Sequence, residues 1–80
     1  MKKVIVYSTE GCAFCMATKE YLEENKIPFE ERNIKNKDFR RELIALGFMS
    51  VPVIKIEDDI VLGFDKSRIN ELLGLNLLAK

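Results

Sequence analysis

The chain has 80 residues, 48% apolar and 32% charged, which suits a globular fold, and residues 1–80 have room for one domain and no second core. Thirteen acidic side chains cancel thirteen basic ones, so no bulk field recruits nucleic acid or an anionic membrane. The longest apolar run is about four residues, too short to span a bilayer, and Met1-Lys2-Lys3 leads into a strand pattern and not a signal peptide, so a cytoplasmic location is expected.

Val4-Ile5-Val6-Tyr7 is continuously apolar and β-branched, the pattern of a strand buried on both faces. Residues 13–25 then take the period of a helix. Phe14, Cys15, Ala17, Thr18, Tyr21 and Leu22 share one arc, while Lys19, Glu20, Glu23 and Glu24 share the other, so Cys15 leans toward the core. Met16 falls on the polar side. Pro28 ends the helical pattern, and residues 29–34 read as a strand whose Glu30, Glu31 and Arg32 suit a sheet edge. Asn36 or Asp38 caps a second helix carrying Phe39, Leu43, Ile44 and Leu46 as far as Gly47.

After a loop through Val51-Pro52, Val53 to Ile56 forms a third strand, Glu57-Asp58-Asp59 turns, and Ile60 to Leu62 returns antiparallel. Gly63-Phe64-Asp65 supplies a sharp turn and a capping carboxylate for a third helix with Ile69, Leu72 and Leu73, stopped by Gly74 and followed by an apolar tail over residues 75–80. The order β-α-β-α-β-β-α predicts an α/β fold with a four-stranded mixed sheet and three helices on its faces. In such sheets ligands gather at the carboxyl ends of strands, where Cys12 lies.

The two cysteines of the chain, Cys12 and Cys15, stand where the strand pattern gives way to the first helix. Zinc would need two more ligands from a chain without histidine or a third cysteine. A structural disulfide over so short a loop removes little chain entropy. Two unrelated core cysteines fit Cys15 better than Cys12 beside Gly11. A cytoplasmic C-x-x-C between a strand and a helix fits redox chemistry. At the helix start, unpaired N–H groups and the positive end of the helix dipole favour a thiolate on Cys12, so Cys12 attacks and the core-facing Cys15 resolves.

Tyr7-Ser8 ahead of Gly11-Cys12-Ala13-Phe14-Cys15, then Ser50-Val51-Pro52, then Gly63-Phe64-Asp65 resemble, in order and over nearly the whole chain, the motifs of the glutaredoxins, a branch of the thioredoxin-like fold. The resemblance implies a monomeric thiol–disulfide oxidoreductase that reduces protein disulfides and glutathionylated thiols, with glutathione as co-substrate and neither metal nor organic cofactor. It implies a cis bond between Val51 and Pro52, with Val51 offering its backbone to an extended peptide such as glutathione. It also implies glutathione contacts at Thr9, Phe14, Pro52, Gly63, Phe64 and Asp65. Phe14 is expected either to pack or to touch substrate.

Several positions depart from the family pattern. Ala13 and Phe14 replace the usual Pro-Tyr, Thr9 stands where many members carry a lysine, Glu10 adds a negative charge near Cys12, and Lys66 replaces a second aspartate. The chain is similar as well to the glutaredoxin-like redoxins, recharged by thioredoxin reductase, that feed ribonucleotide reductase, and Thr9 favours that alternative. Small copper-carrying domains also place C-x-x-C after a first strand, but they end on a strand. Iron–sulfur binding between two subunits with glutathione is a further family option.

Overall fold

The computed structural model describes residues 2–75. Its elements run β1 (Val4–Ser8), α1 (Ala13–Glu24), β2 (Glu30–Asn33), α2 (Lys37–Ala45), β3 (Val53–Ile56), β4 (Asp59–Leu62) and α3 (Lys66–Leu73), the order expected from the sequence. Most of the apolar tail, residues 76–80, lies outside the described residues.

The strands form one mixed sheet in the order β2-β1-β3-β4. β1 runs parallel to β2 and antiparallel to β3, and β3 pairs antiparallel with β4, which is the thioredoxin-like arrangement. β1 is central, so all five of its residues are buried. Its side chains alternate between two cores. Val4 and Val6 pack with Leu22 of α1, Ile69 of α3 and Ile54, Ile56 and Val61 of the closing hairpin. Ile5 and Tyr7 face the other way and pack with Val53 and with Leu43 of α2. Two helices therefore cover one face of the sheet and one covers the other.

The structure decides two exposures that the sequence pattern leaves open and corrects one boundary. Phe14 is 67% exposed, because the buried stripe of α1 is Cys15, Thr18 and Leu22, and Phe14 lies just outside it on the first turn. Ile44 is likewise half exposed, since α2 buries only Leu43 fully. Asp59 belongs to β4 and not to the turn, because its pairing with Ile56 leaves Glu57 and Asp58 as a two-residue loop, with Glu57 at a positive φ of 53°.

The charges of edge strand β2 do more than line a border. Arg32 reaches Glu30 on its own strand at 2.7 Å and Glu42 on α2 at 2.5 Å, and its guanidinium lies 5.5 Å from the centre of the Phe39 ring. The buried Tyr7 donates its hydroxyl to the same Glu42 carboxylate at 3.0 Å. Burial first, and then that hydrogen bond, push the Tyr7 phenol up.

On the opposite face the carboxylate of Glu31 accepts hydrogen bonds from Lys19 on α1 and from the fully buried Ser8 at the end of β1, each at 2.7 Å. Those bonds, Lys19 first, hold the Glu31 carboxyl below its ordinary value of 4.5. A carboxylate with a lowered folded-state pKa contributes stability that is present above the unfolded value and disappears as pH falls through the folded one. Glu31→Gln is therefore expected to cost under about 1 kcal/mol at pH 7 at this part-exposed site. In denaturant titrations from pH 7 to pH 3 the gap between variant and parent should close on the acid side.

Candidate active site

The sheet register brings the ends of several segments together. Ser8, the last residue of β1, pairs with Asn33 of β2, and Tyr7 pairs with Val53, so the loop after β1, the loop after β2 and the segment before β3 share one end of the sheet. Val53 pairs with Leu62, which places Gly63-Phe64-Asp65 at that end too. The Gly63 N–H donates to the Pro52 carbonyl at 2.9 Å and ties the two segments.

Thr9, Glu10 and Gly11 turn the chain from β1 into α1, and Gly11 takes the positive φ of 74° that an L side chain resists. Cys12 is then the N-cap of α1 in extended conformation. Its sulfur lies where an N-cap oxygen would, accepting the Cys15 backbone N–H at 3.1 Å. The Met16 N–H bonds the Cys12 carbonyl at 3.1 Å and closes the first turn. Cys12 and Cys15 are joined as a disulfide with their Cα atoms 5.2 Å apart. Cys12 is half-buried, while Cys15 is fully enclosed.

That asymmetry assigns chemistry. A sulfur at the rim, beside N–H groups that the helix leaves unpaired, can carry negative charge and meet an incoming disulfide. The enclosed partner cannot meet substrate directly, but it reaches the first sulfur after capture. The Phe14 carbonyl within this turn also accepts the Thr18 hydroxyl at 2.8 Å, so the buried Thr18 braces the first turn from beneath.

The residues expected to bind substrate are spread around this end. The Val51–Pro52 bond is cis, Pro52 is buried and Val51 is half-buried against the core on the α2 side. Asp65 is the exposed N-cap of α3, its carboxylate accepting the Arg68 N–H at 3.1 Å. Phe64 turns inward, meeting the Tyr21 ring edge-on at 5.9 Å, and so serves the core as much as the surface. Lys66, standing where the family pattern has a second aspartate, places its ammonium 5.1 Å from the centre of the Tyr21 ring. Thr9 is half-buried, and Phe14 projects outward beside the cysteines.

Sequence patterning alone does not single out Lys35. It follows β2 and forms an ion pair with Glu10 at 3.0 Å, with both side chains mostly exposed. The negative charge of Glu10 near Cys12 is thus answered by a cation from the next loop. Parallel pairing of β1 with β2 is the signal that could have found it, because it sets the residues after one strand beside those after the other.

Comparison with known proteins agrees with this geometry. Residues 4–61 match the family model described as Glutaredoxin. A glutaredoxin-like 8.6 kDa protein of the rubredoxin operon of Clostridium pasteurianum is 40% identical over 70 residues, spanning 85% of this chain and 93% of that protein. The glutaredoxin-like protein NrdH of Lactococcus lactis is 37% identical over 70 residues, spanning 86% of this chain and 97% of its own. Among solved structures, the NrdH-redoxin of Escherichia coli superposes with a TM-score of 0.80 at 31% identity, over 88% of this chain and 93% of its own, and is described as having a thioredoxin-like activity profile.

Asp65 can be tested as a cap apart from any role in binding. Asp65→Ala is expected to lower unfolding free energy by about 1 kcal/mol, and Asp65→Ser to restore most of it. Denaturation midpoints for both variants check this, and equal midpoints for parent and Asp65→Ala would contradict it.

Proposed function

The chain belongs to the glutaredoxin family and is a thiol–disulfide oxidoreductase, and within that family we propose that it is a protein-disulfide redoxin of the NrdH kind, recharged by a thioredoxin reductase. The observation that carries the dithiol mechanism is the pairing of a rim sulfur, Cys12, with an enclosed one, Cys15, in a disulfide at the N-terminus of α1.

In the reduced protein the Cys12 thiolate attacks one sulfur of a substrate disulfide. A mixed disulfide forms, and the other substrate sulfur departs as a thiolate that takes up a proton. The Cys15 thiol loses its proton and attacks the Cys12 sulfur, so the second substrate thiol leaves and the Cys12–Cys15 disulfide remains. Two electrons have moved to the substrate. Exchange with a reductase dithiol, run in the reverse sense, returns them.

Two features support a reductase over glutathione as the donor. Thr9 carries no charge where many family members present a lysine to a glutathione carboxylate. The NrdH relatives match along almost their whole length, and the Escherichia coli protein is described as thioredoxin-like in activity. Ribonucleotide reductase is then the protein disulfide proposed for reduction, and the cytoplasm the proposed compartment. Among the described residues no helix is long and apolar enough to cross a membrane.

Glutathione-linked reduction is the second reading, favoured by the exposed N-terminus of α3 at Asp65, where backbone N–H groups suit an α-carboxylate. The two separate cleanly. Oxidised protein should regain two free thiols with thioredoxin reductase and NADPH but stay largely oxidised in millimolar glutathione. The opposite result would move the assignment to glutathione. Cys12→Ser should abolish reduction of protein disulfides, and Cys15→Ser should accumulate a mixed disulfide with substrate, visible by mass spectrometry.

A further inference from the structure

Between α1 and β2 lies an open groove of about 240 Å³ lined by Met16, Lys19, Glu20, Glu23, Phe29 and Glu31. None of these residues takes part in the exchange chemistry. Met16, Lys19, Glu20 and Glu23 follow one another at steps of three, one and three, so they form one stripe down α1. The groove therefore begins one turn beyond Cys12, at Met16, whose N–H bonds the Cys12 carbonyl, and it leads away along the flank of α1 that faces β2.

Its floor and rim differ in character. Met16 is 57% exposed and Phe29 is half-buried, which gives an apolar floor extended by the methylene stems of the charged side chains. The Lys19 ammonium is engaged by Glu31 at 2.7 Å. Glu20 and Glu23 have no ion-pair partner among the described residues, so the rim carries two uncompensated negative charges on a chain whose net charge is zero.

We propose that this groove seats the segment of a substrate protein next to the disulfide under attack, and that the segment it fits pairs an apolar side chain with lysine or arginine. The inference rests on the protein-disulfide reading above and adds to it the chemistry of the substrate. From Cys12 to Glu23 the chain rises about 16 Å along the axis of α1, the length of about five residues of extended peptide. An apolar side chain on such a segment covers Met16 and Phe29, while a cation on either side of it meets Glu20 or Glu23. An acidic segment would be repelled by the same pair.

Synthetic peptides closed by one disulfide provide the probe, each with a five-residue flank on either side of the ring that is leucine-centred and either lysine-rich or glutamate-rich. At low salt the parent protein is expected to reduce the lysine-flanked peptide about fivefold faster than the glutamate-flanked one, the scale of two exposed charge pairs. In the Glu20→Gln, Glu23→Gln double variant, or at 0.5 M salt, the ratio should fall below about twofold as the charges are removed or screened. Both proteins should reduce hydroxyethyl disulfide, which is too small to reach the groove, at the same rate. Equal rates on the two peptides in the parent, or a ratio that survives in the variant, would overturn the groove assignment while leaving the redox reading intact. Failure to reduce hydroxyethyl disulfide as well as the peptides would overturn both.

Discussion

One hydrogen bond organises the functional end of this protein: the Cys15 backbone N–H donating to the Cys12 sulfur at 3.1 Å. It puts sulfur where helix N-caps usually place oxygen, so one atom both terminates the helix and carries the chemistry. In the reduced form that the proposed mechanism requires, a thiolate is a better acceptor for these N–H groups than a neutral thiol. The same first turn leaves Cys15 beneath the helix, within reach of the first sulfur and out of reach of solvent. In the proposed mechanism attack and resolution are therefore divided by burial.

The rest of the structure holds that turn against the sheet. Central strand β1, enclosed by two cores, delivers the chain to Gly11, whose left-handed backbone allows the reversal into α1. Leu22 anchors the far end of α1 in the core, and the Lys19–Glu31–Ser8 contacts fasten its middle to β2 and to the end of β1. Tyr21 joins α1 to α3, touching Phe64 and donating its hydroxyl to Asn70. The closing hairpin and α3 bring Pro52 and Asp65 to the same end of the sheet as the cysteines. The surface around Cys12 is thus assembled from four segments distant in sequence, each fixed by its own packing.

Much of this architecture is legible in the amino-acid sequence alone. The period-two and 3.6-residue patterns, with Pro28, Gly47 and Gly74 as punctuation, report the seven elements in order, because burial and local backbone preference act at the scale of those windows. The cysteine pair is legible for a similar reason: its meaning lies in its place between strand and helix. The remainder depends on geometry that periodicity does not encode. A helical arc states a direction but not how wide the covering sheet is, so Phe14 and Ile44 fall outside the buried stripe. Lys26 closes α1 with a positive φ of 57°, a position where glycine is the usual signal. Lys35 can be linked to Glu10 only once strand pairing is known.

The central claim is that Cys12 is held as a thiolate by the start of α1, and the most direct measurement is the rate of its alkylation against pH in fully reduced protein, with the modified residue identified by mass spectrometry. The account predicts a midpoint clearly below the value of about 8.5 for free cysteine, with Cys15 left unmodified throughout the range. A midpoint at or above that value, or alkylation of both cysteines at matching rates, would contradict it.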